Sequence, residues 1–437
     1  MEANQEYAYF KRCLDDYTVD PKRRLEIDED PKMASIKEAI EYITFGIGDE
    51  QLKTSNPYLR SYIKLYQQIT DRVRQGNSEK AYTNLSLAHY EQIVRNRCRM
   101  ENQQLRLHPN ISYFPICMEL TEGCSVQCDF CGLSAKRYAG SFELTPENEA
   151  LFREILEITK RVVGPVTAAS PFYLATEPLD NRDYEKYLEI CMEIFGGIPQ
   201  MTTAIAEVYP DRIRRIMEIA GPERIRLNAA LRFSIRNLKQ YQRLREIYSM
   251  QEMAYIEVLA NNPESVNRIS DTGRARRNQK IADKKRLSYS ICCVSGVRVN
   301  LVRKSLEYIE PCIPSAKYPE GIRCLSKEHF DTGEEFEEKL RMLYETYALS
   351  ELPVDRTIIA NPNIKIRRDG HYIYWCGDKI HYKIEESDLY IWSTSCMIKG
   401  MSVLELFRQK KLKEEEREKI KKICSDLWIR GYLILKQ

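Results

Sequence analysis

Three cysteines crowd one short stretch of this chain, Cys124-Ser-Val-Gln-Cys128-Asp-Phe-Cys131. Thiolates are soft ligands that suit zinc and iron–sulfur clusters. Spaced by three residues and then two, they can wrap one small loop around three irons of a cubane 4Fe–4S cluster. The fourth iron then has no protein ligand and can chelate a small molecule, whereas a four-cysteine ferredoxin loop saturates its cluster and only passes electrons. Zinc is the competing reading, but it usually takes four ligands, often from paired CxxC units, and the chain has no second CxxC.

The surrounding pattern predicts how this loop is positioned. Short apolar runs at 114–120, 171–175, 201–206, 225–233 and 255–260 alternate with amphipathic stretches at 146–162, 183–195, 211–219 and 238–248. Strand–helix alternation predicts a parallel sheet covered by helices. The cysteine loop then lies at the carboxyl end of the first strand, where open α/β sheets bind ligands. A further strand is expected at 289–294, followed by an irregular stretch to Cys324 and a helix at 333–347. Residues 1–110 read as a polar helical region, with apolar residues at helical spacing in 33–43 and 58–74. Residues 326–354 connect to a different tail at 355–437. There, strands at 364–368, 372–375 and 379–384 are separated by Asp369-Gly370 and Gly377-Asp378, both tight hairpin pairs. Helices follow at 387–397, 403–408 and 414–429, with Gly431 as the stop.

The cysteine spacing is the signature of the radical S-adenosylmethionine (SAM) enzymes. The resemblance narrows further through Glu119-Leu-Thr-Glu-Gly-Cys124, Cys131-Gly-Leu-Ser-Ala135, Ala175-Thr-Glu-Pro-Leu-Asp180, Ile198-Pro-Gln-Met-Thr-Thr-Ala204, Arg232-Phe-Ser234, Gly273-Arg-Ala-Arg276, Cys293-Val-Ser-Gly296 and Pro311-Cys312. In that order, over about residues 110–325, these look like the radical SAM peptide epimerases that mature ribosomally made peptides, the proteusin-type maturases. The chain departs from that family where Gln127 and Asp129 stand at positions expected to hold glycine and an aromatic residue.

The resemblance implies an α/β fold. It is a partial (β/α)6 barrel over 111–325 with an N-terminal helical region and a C-terminal winged-helix-like domain. It implies a 4Fe–4S cluster on Cys124, Cys128 and Cys131, with SAM as the second cofactor. Phe130 would pack beside the bound ligand. Thr176 and Glu177 fall where the family holds the SAM amino group, and a carboxylate suits an ammonium. Hydroxyls of Thr202, Thr203 and Ser234 suit a ribose, and the Arg232 guanidinium suits the SAM carboxylate. The implied reaction takes the Cα hydrogen from an L-residue of a bound peptide and returns one from the opposite face. A cysteine thiol is the usual donor, and Cys312, Cys293 and Cys324 are the candidates in that order. A thioether or carbon–carbon crosslink is the alternative outcome, and a silent iron–sulfur binding protein the non-enzymatic one. An electron donor such as flavodoxin or ferredoxin is the implied partner.

The tail resembles the PqqD-like domains that recognise leader peptides. Such a domain adds an extended peptide to a sheet edge. Strand 379–384 is the expected edge, with pockets beside Ile380, Tyr382 and Leu427. A DNA-reading role is disfavoured because Glu414, Glu415, Glu416 and Glu418 sit among the lysines of the last helix.

Composition agrees with a globular enzyme. The 437 residues include 67 basic and 64 acidic side chains, a net charge of +3, so no overall cationic field points to nucleic acid. The charged first residues lack the apolar core of a signal peptide, and no run is long enough to span a bilayer. The expectation is a cytoplasmic protein, in which fourteen cysteines do not form a disulfide framework.

Overall fold

The computed structural model describes residues 5–64, 82–101, 113–221, 230–278, 286–287, 289–377 and 380–436. Its centre is a parallel array. Phe114–Glu119 pairs in parallel with Val294–Asn300, Ile116 opposite Val297. On its other side the Met118 N–H donates to the Pro171 carbonyl (3.1 Å), and the Phe172 N–H to that of Gln200 (2.9 Å). These bonds carry the array on to Met201–Thr203, Leu231–Ile235 and Glu257–Ala260, all parallel.

Strand alternation divides the array into two faces. Ile116, Met118, Met201, Leu231, Phe233 and Val297 join the main core with helix residues such as Phe152, Leu156, Tyr187 and Ile213. The other face carries Cys117, Glu119, Thr202, Arg232, Ser234 and Arg298. The covering helices run Pro146–Val162, Tyr184–Phe195, Pro210–Ala220 and Leu238–Ile247. The first starts at Thr145, whose hydroxyl caps the Asn148 N–H, with proline next in line.

Three sequence expectations change. The strand expected at 289–294 begins only at Val294 and runs to Asn300. The expected irregular stretch contains two antiparallel strands, Ser305–Pro311 and Ile322–His329. The latter is an edge strand of mixed polarity, so it lacks an apolar run to announce it. The segment 171–175 also shrinks to one bridge at Pro171, because the Ala175 N–H turns instead to the Glu119 carboxylate.

Helices Gln5–Val19, Pro21–Glu29 and Ala34–Phe45 form a separate apolar cluster. Tyr241 donates to Asp16 (2.7 Å) and Asn262 to the Val19 carbonyl (2.9 Å), tying this region to the array. Of the expected helix 58–74, residues 57–64 are helical and the remainder lies outside the described residues.

The tail forms a meander of Lys365–Arg368, Tyr372–Cys376 and His381–Glu385, followed by helices Asp388–Lys399, Val403–Gln409 and Glu414–Ile429. Ile358–Ala360 and Leu433–Leu435 add a second, unforeseen two-stranded sheet. Helix Leu85–Met100 joins this tail to the array. Tyr90, Val94 and Cys98 lie in the main core, while Ile93 and Met100 lie in the tail's core with Trp375, Leu406 and Trp428. Among the described residues no helix is long and apolar enough to cross a membrane.

Candidate metal centre

The cysteine loop is folded by its own backbone first. Gly123 takes φ +74°, and a Cβ there would stand 2.2 Å from the Arg137 carbonyl oxygen. The Cys124 N–H donates to the Lys136 carbonyl (2.9 Å) and that of Cys131 to the Cys128 carbonyl (3.2 Å). Gln127 adopts φ +51°, a conformation that costs a non-glycine residue about 1 kcal/mol. Its side chain offsets that strain. Nε2 donates to the carbonyls of Cys124 (2.7 Å), Ala135 (3.1 Å) and Lys136 (2.8 Å). The glutamine thus closes the loop that a glycine would only permit.

Two other segments clamp the loop. Asp180 accepts from the Ser125 N–H (2.8 Å) and hydroxyl (2.6 Å). Arg274 donates through Nε to the Cys128 carbonyl (3.0 Å) and through Nη1 to Ala135 (2.7 Å) and Gln127 Oε1 (3.1 Å). Its N–H bonds the Cys131 carbonyl (2.9 Å). Gly273, at φ +51°, allows this contact, since a Cβ would lie 2.5 Å from the Gly132 oxygen. The Gly-Arg-Ala-Arg motif was visible in sequence, but its role as a clamp was not.

Cys124 is buried, and Cys128 and Cys131 are half-buried. Burial pushes the Cys128 thiol up to about 12. The neighbouring Cys124 and Cys131 push the same way, and Arg236 pulls against them. The other two thiols therefore lie close to Cys128. Among the described residues no three or more Cys, His, Asp or Glu side chains are gathered for a single ion. A cubane asks for something different, because each thiolate binds its own iron. Three thiols close together in one loop fit that demand.

Glu177 lies against the loop, close enough to influence both Cys124 and Cys128. It is fully buried. Its oxygens accept the N–H groups of Ala204 (2.9 Å) and Leu179 (3.2 Å), with a further bond to the Thr203 side chain. Burial raises its carboxyl to about 7 against those bonds. Among the described residues no ion pair forms on it.

Arg232 donates to Thr202 Oγ1 (3.0 Å) and Gln200 Oε1 (2.9 Å), and its guanidinium lies 5.6 Å from the Tyr173 ring centre. Ser234 accepts from Asn261 (2.9 Å). Thr176 and Phe130 are half-buried. Sequence reasoning missed Glu119. Wholly buried, it accepts from Ala175 N–H (2.9 Å), Arg298 and Asn300. Its acid in an otherwise apolar strand, Phe114–Glu119, was the available signal.

The donor candidates separate. Cys293 has Arg232 as its charged neighbour. Its segment meets the cysteine loop, where a Cβ on Gly132 would stand 2.9 Å from Ile291 Cδ1 and Leu133 packs in one cluster with Cys293. Cys312 follows a strand antiparallel to Val294–Asn300 and so lies where the parallel strands begin. Its charged neighbours are Arg323, Glu101, Arg97 and Glu310. Cys324 is exposed. Cys293 also sits where its strand begins, its carbonyl accepting from the Phe114 N–H (2.9 Å), so strand ends do not separate the two. Cys293 differs from Cys312 in its Arg232 neighbour and in packing beside the returning end of the cysteine loop.

In the tail, Tyr382 donates to Asp426 (3.1 Å), with the Arg430 guanidinium 5.0 Å from its ring centre. Ile380 is exposed. Leu427 is fully buried in the tail's core, so it does not line the expected groove. One helical position separates it from Asp426, which turns it by about 100° around the helix.

No family model matches the chain. It is 30% identical over 279 residues to the uncharacterized protein y4wI of Sinorhizobium fredii (strain NBRC 101917 / NGR234), a match covering 62% of this chain and 52% of that protein. The chain therefore spans about half the length of the curated relative it matches. A structural comparison pairs it with the crystal structure of BtrN in complex with AdoMet and 2-DOIA. That pairing has 13% identity and a TM-score of 0.29 over 55% of this chain and 91% of that one. At that score the likeness carries no argument about function.

Proposed function

We propose that the protein is a radical SAM enzyme that epimerises L-residues to D-residues in a ribosomally made peptide. The observation that carries this reading is three cysteines gathered in one loop with a buried carboxylate beside them, Glu177, on which no ion pair forms among the described residues. A bound 4Fe–4S cluster with SAM would supply a carbon radical strong enough to break a Cα–H bond homolytically.

The protein's own groups do the rest. Cys124, Cys128 and Cys131 hold the irons, and Glu177 receives the ammonium of SAM. Arg232 and Thr202 orient the remainder of that ligand beside Tyr173, with Thr203 and Ser234 bracing the strand ends. Cys293 gives a hydrogen atom to the planar Cα centre. The resulting thiyl then needs one electron, supplied by a flavodoxin- or ferredoxin-class partner, and one proton, taken from solvent. The winged-helix-like tail recruits the peptide.

Dithionite-dependent formation of 5′-deoxyadenosine tests the first part, and its absence would remove the radical reading. Co-expression in D2O with a precursor peptide encoded beside the gene tests the second. A thiol exchanges with solvent, so each inversion should add about one mass unit. A loss of about two mass units would mean a crosslink instead. A Cys293→Ala enzyme should still cleave SAM yet yield no deuterated D-residue. Normal yield would eliminate Cys293 as donor.

A further inference from the structure

A second candidate site lies at the junction between the array and the tail. A cavity of about 490 Å3 opens there, bordered by helix Leu85–Met100, the array's last strand and the chain's final strand. Its size falls in the usual range for ligand sites.

The charge of this cavity is lopsided. Arg97, Arg323, Arg356 and Lys436 line it, against the single carboxylate of Glu310. Glu310 is already engaged by Arg323 (2.6 Å), Arg97 (3.3 Å) and the Tyr90 hydroxyl (2.6 Å). Even so, Arg97 keeps Nε and Nη2, and Arg323 keeps Nε, buried without a hydrogen-bond partner. Arg97 is 5% exposed and Arg323 9%. Buried donors left unmatched are unfavourable, and an anionic ligand or a carbonyl would satisfy them. Arg356 is held at the rim by the Thr346 carbonyl, with the Tyr347 ring centre 5.9 Å from its guanidinium.

The backbone contributes a second feature. Ile322–His329 is the last strand of its four-stranded sheet, and Leu433–Leu435 has a strand neighbour on one side only. Cys324 and Leu325 of the first, and Leu433 and Leu435 of the second, border the same cavity. Two strand edges beside apolar side chains suit an extended chain, and the surplus of cations selects an acidic one.

We infer that this junction binds an acidic, extended peptide segment, separately from the His381–Glu385 edge. The choice of a peptide as occupant rests on the reading of the protein as a peptide-modifying enzyme. The site would tie substrate recognition to both halves of the molecule, since each half supplies one wall.

The test is fluorescence anisotropy on the full chain as purified, with a fluorescein-labelled peptide of alternating Glu and Leu. Its Lys/Leu counterpart and a version N-methylated at alternate backbone nitrogens serve as controls. The Glu/Leu peptide should bind, with the Lys/Leu peptide failing and the methylated one weakened. Combining Arg356→Ala with Lys436→Ala, both at the rim, should weaken binding by at least about tenfold at unchanged melting temperature. Equal binding of the Lys/Leu peptide, no effect of the double variant, or full competition by free glutamate or a short single-stranded DNA would overturn the inference. The titration needs neither cluster nor SAM. Its failure would leave SAM cleavage unaffected, and failure of SAM cleavage would leave this binding in place.

Discussion

Glu177 and Glu310 are both fully buried carboxylates, yet they are shifted in opposite directions. Burial raises Glu177 to about 7, against main-chain N–H bonds that only partly compensate. Glu310 suffers the same burial but lies between Arg97 and Arg323, which carry it down to about 2. One region holds an anion with no cation. The other holds cations in excess of its anion. Desolvation acts alike on both, so their partners decide what each can do. On the readings proposed above, the cysteine loop would receive a positive group and the junction a negative one.

Variants should break this contrast in unequal steps. Cys124→Ala should cause the greatest loss, at least about a thousandfold in 5′-deoxyadenosine formation, with little change in melting temperature. Substantial residual cleavage would show that the loop does not hold the cluster. Glu310→Gln should do the reverse and leave two buried guanidinium groups with only Glu101 as a neighbouring carboxylate among the described residues. A cost of about 3–5 kcal/mol in denaturant unfolding is expected. Glu177→Gln should cost only about 1 kcal/mol, because its bonds are to neutral donors. Similar losses for the two variants would erase the comparison.

Acid should expose the junction as well. Glu310 has a folded value near 2 against an ordinary 4.5. A depressed carboxyl stabilises the fold fully above the unfolded value and loses that contribution as pH falls from about 4.5 to about 2. The amount is about 3 kcal/mol. Unfolding measured across that window should show the loss, and Glu310→Gln should not. Arg274→Ala should cost about 1–3 kcal/mol by freeing the Cys128 and Ala135 carbonyls. The checks are melting temperature and iron content. Gln127→Gly should change stability least, by under about 1 kcal/mol, because lost side-chain bonds and relieved strain oppose each other.

The docked tail also bears on truncation. A Cβ on Gly431 would stand 2.7 Å from the Arg97 Cα, and one on Gly377 2.5 Å from Met100 Cγ. Removing residues 355–437 would therefore uncover the helix Leu85–Met100 as well as remove the tail proposed to recruit the peptide. Rim substitutions separate these effects and deletion does not.

Much of the local structure was legible in sequence. Helices Pro146–Val162 and Gly333–Tyr347 match their periodic stretches end to end. The first hairpin of the meander follows its Asp369-Gly370 pair, Asp378 of the second pair lies outside the described residues, and the cysteine loop follows its spacing. What escaped was long-range. Nothing near Val294–Asn300 announces that it pairs with Phe114–Glu119, and nothing near Cys312 announces Arg97. The second sheet joins residues more than seventy positions apart in sequence.

The amino-acid sequence by itself determined which groups could ligate iron, where helices begin and end, and which loop holds the thiols. These depend on residues a few positions apart, whose geometry the chain imposes directly. Only the tertiary structure decided that Cys293 meets the loop, that Arg274 clamps it, and that Glu177 and Glu310 differ. Each of those outcomes depends on burial and on a partner from a distant segment, and electrostatics in a low-dielectric interior is set by what folding brings alongside.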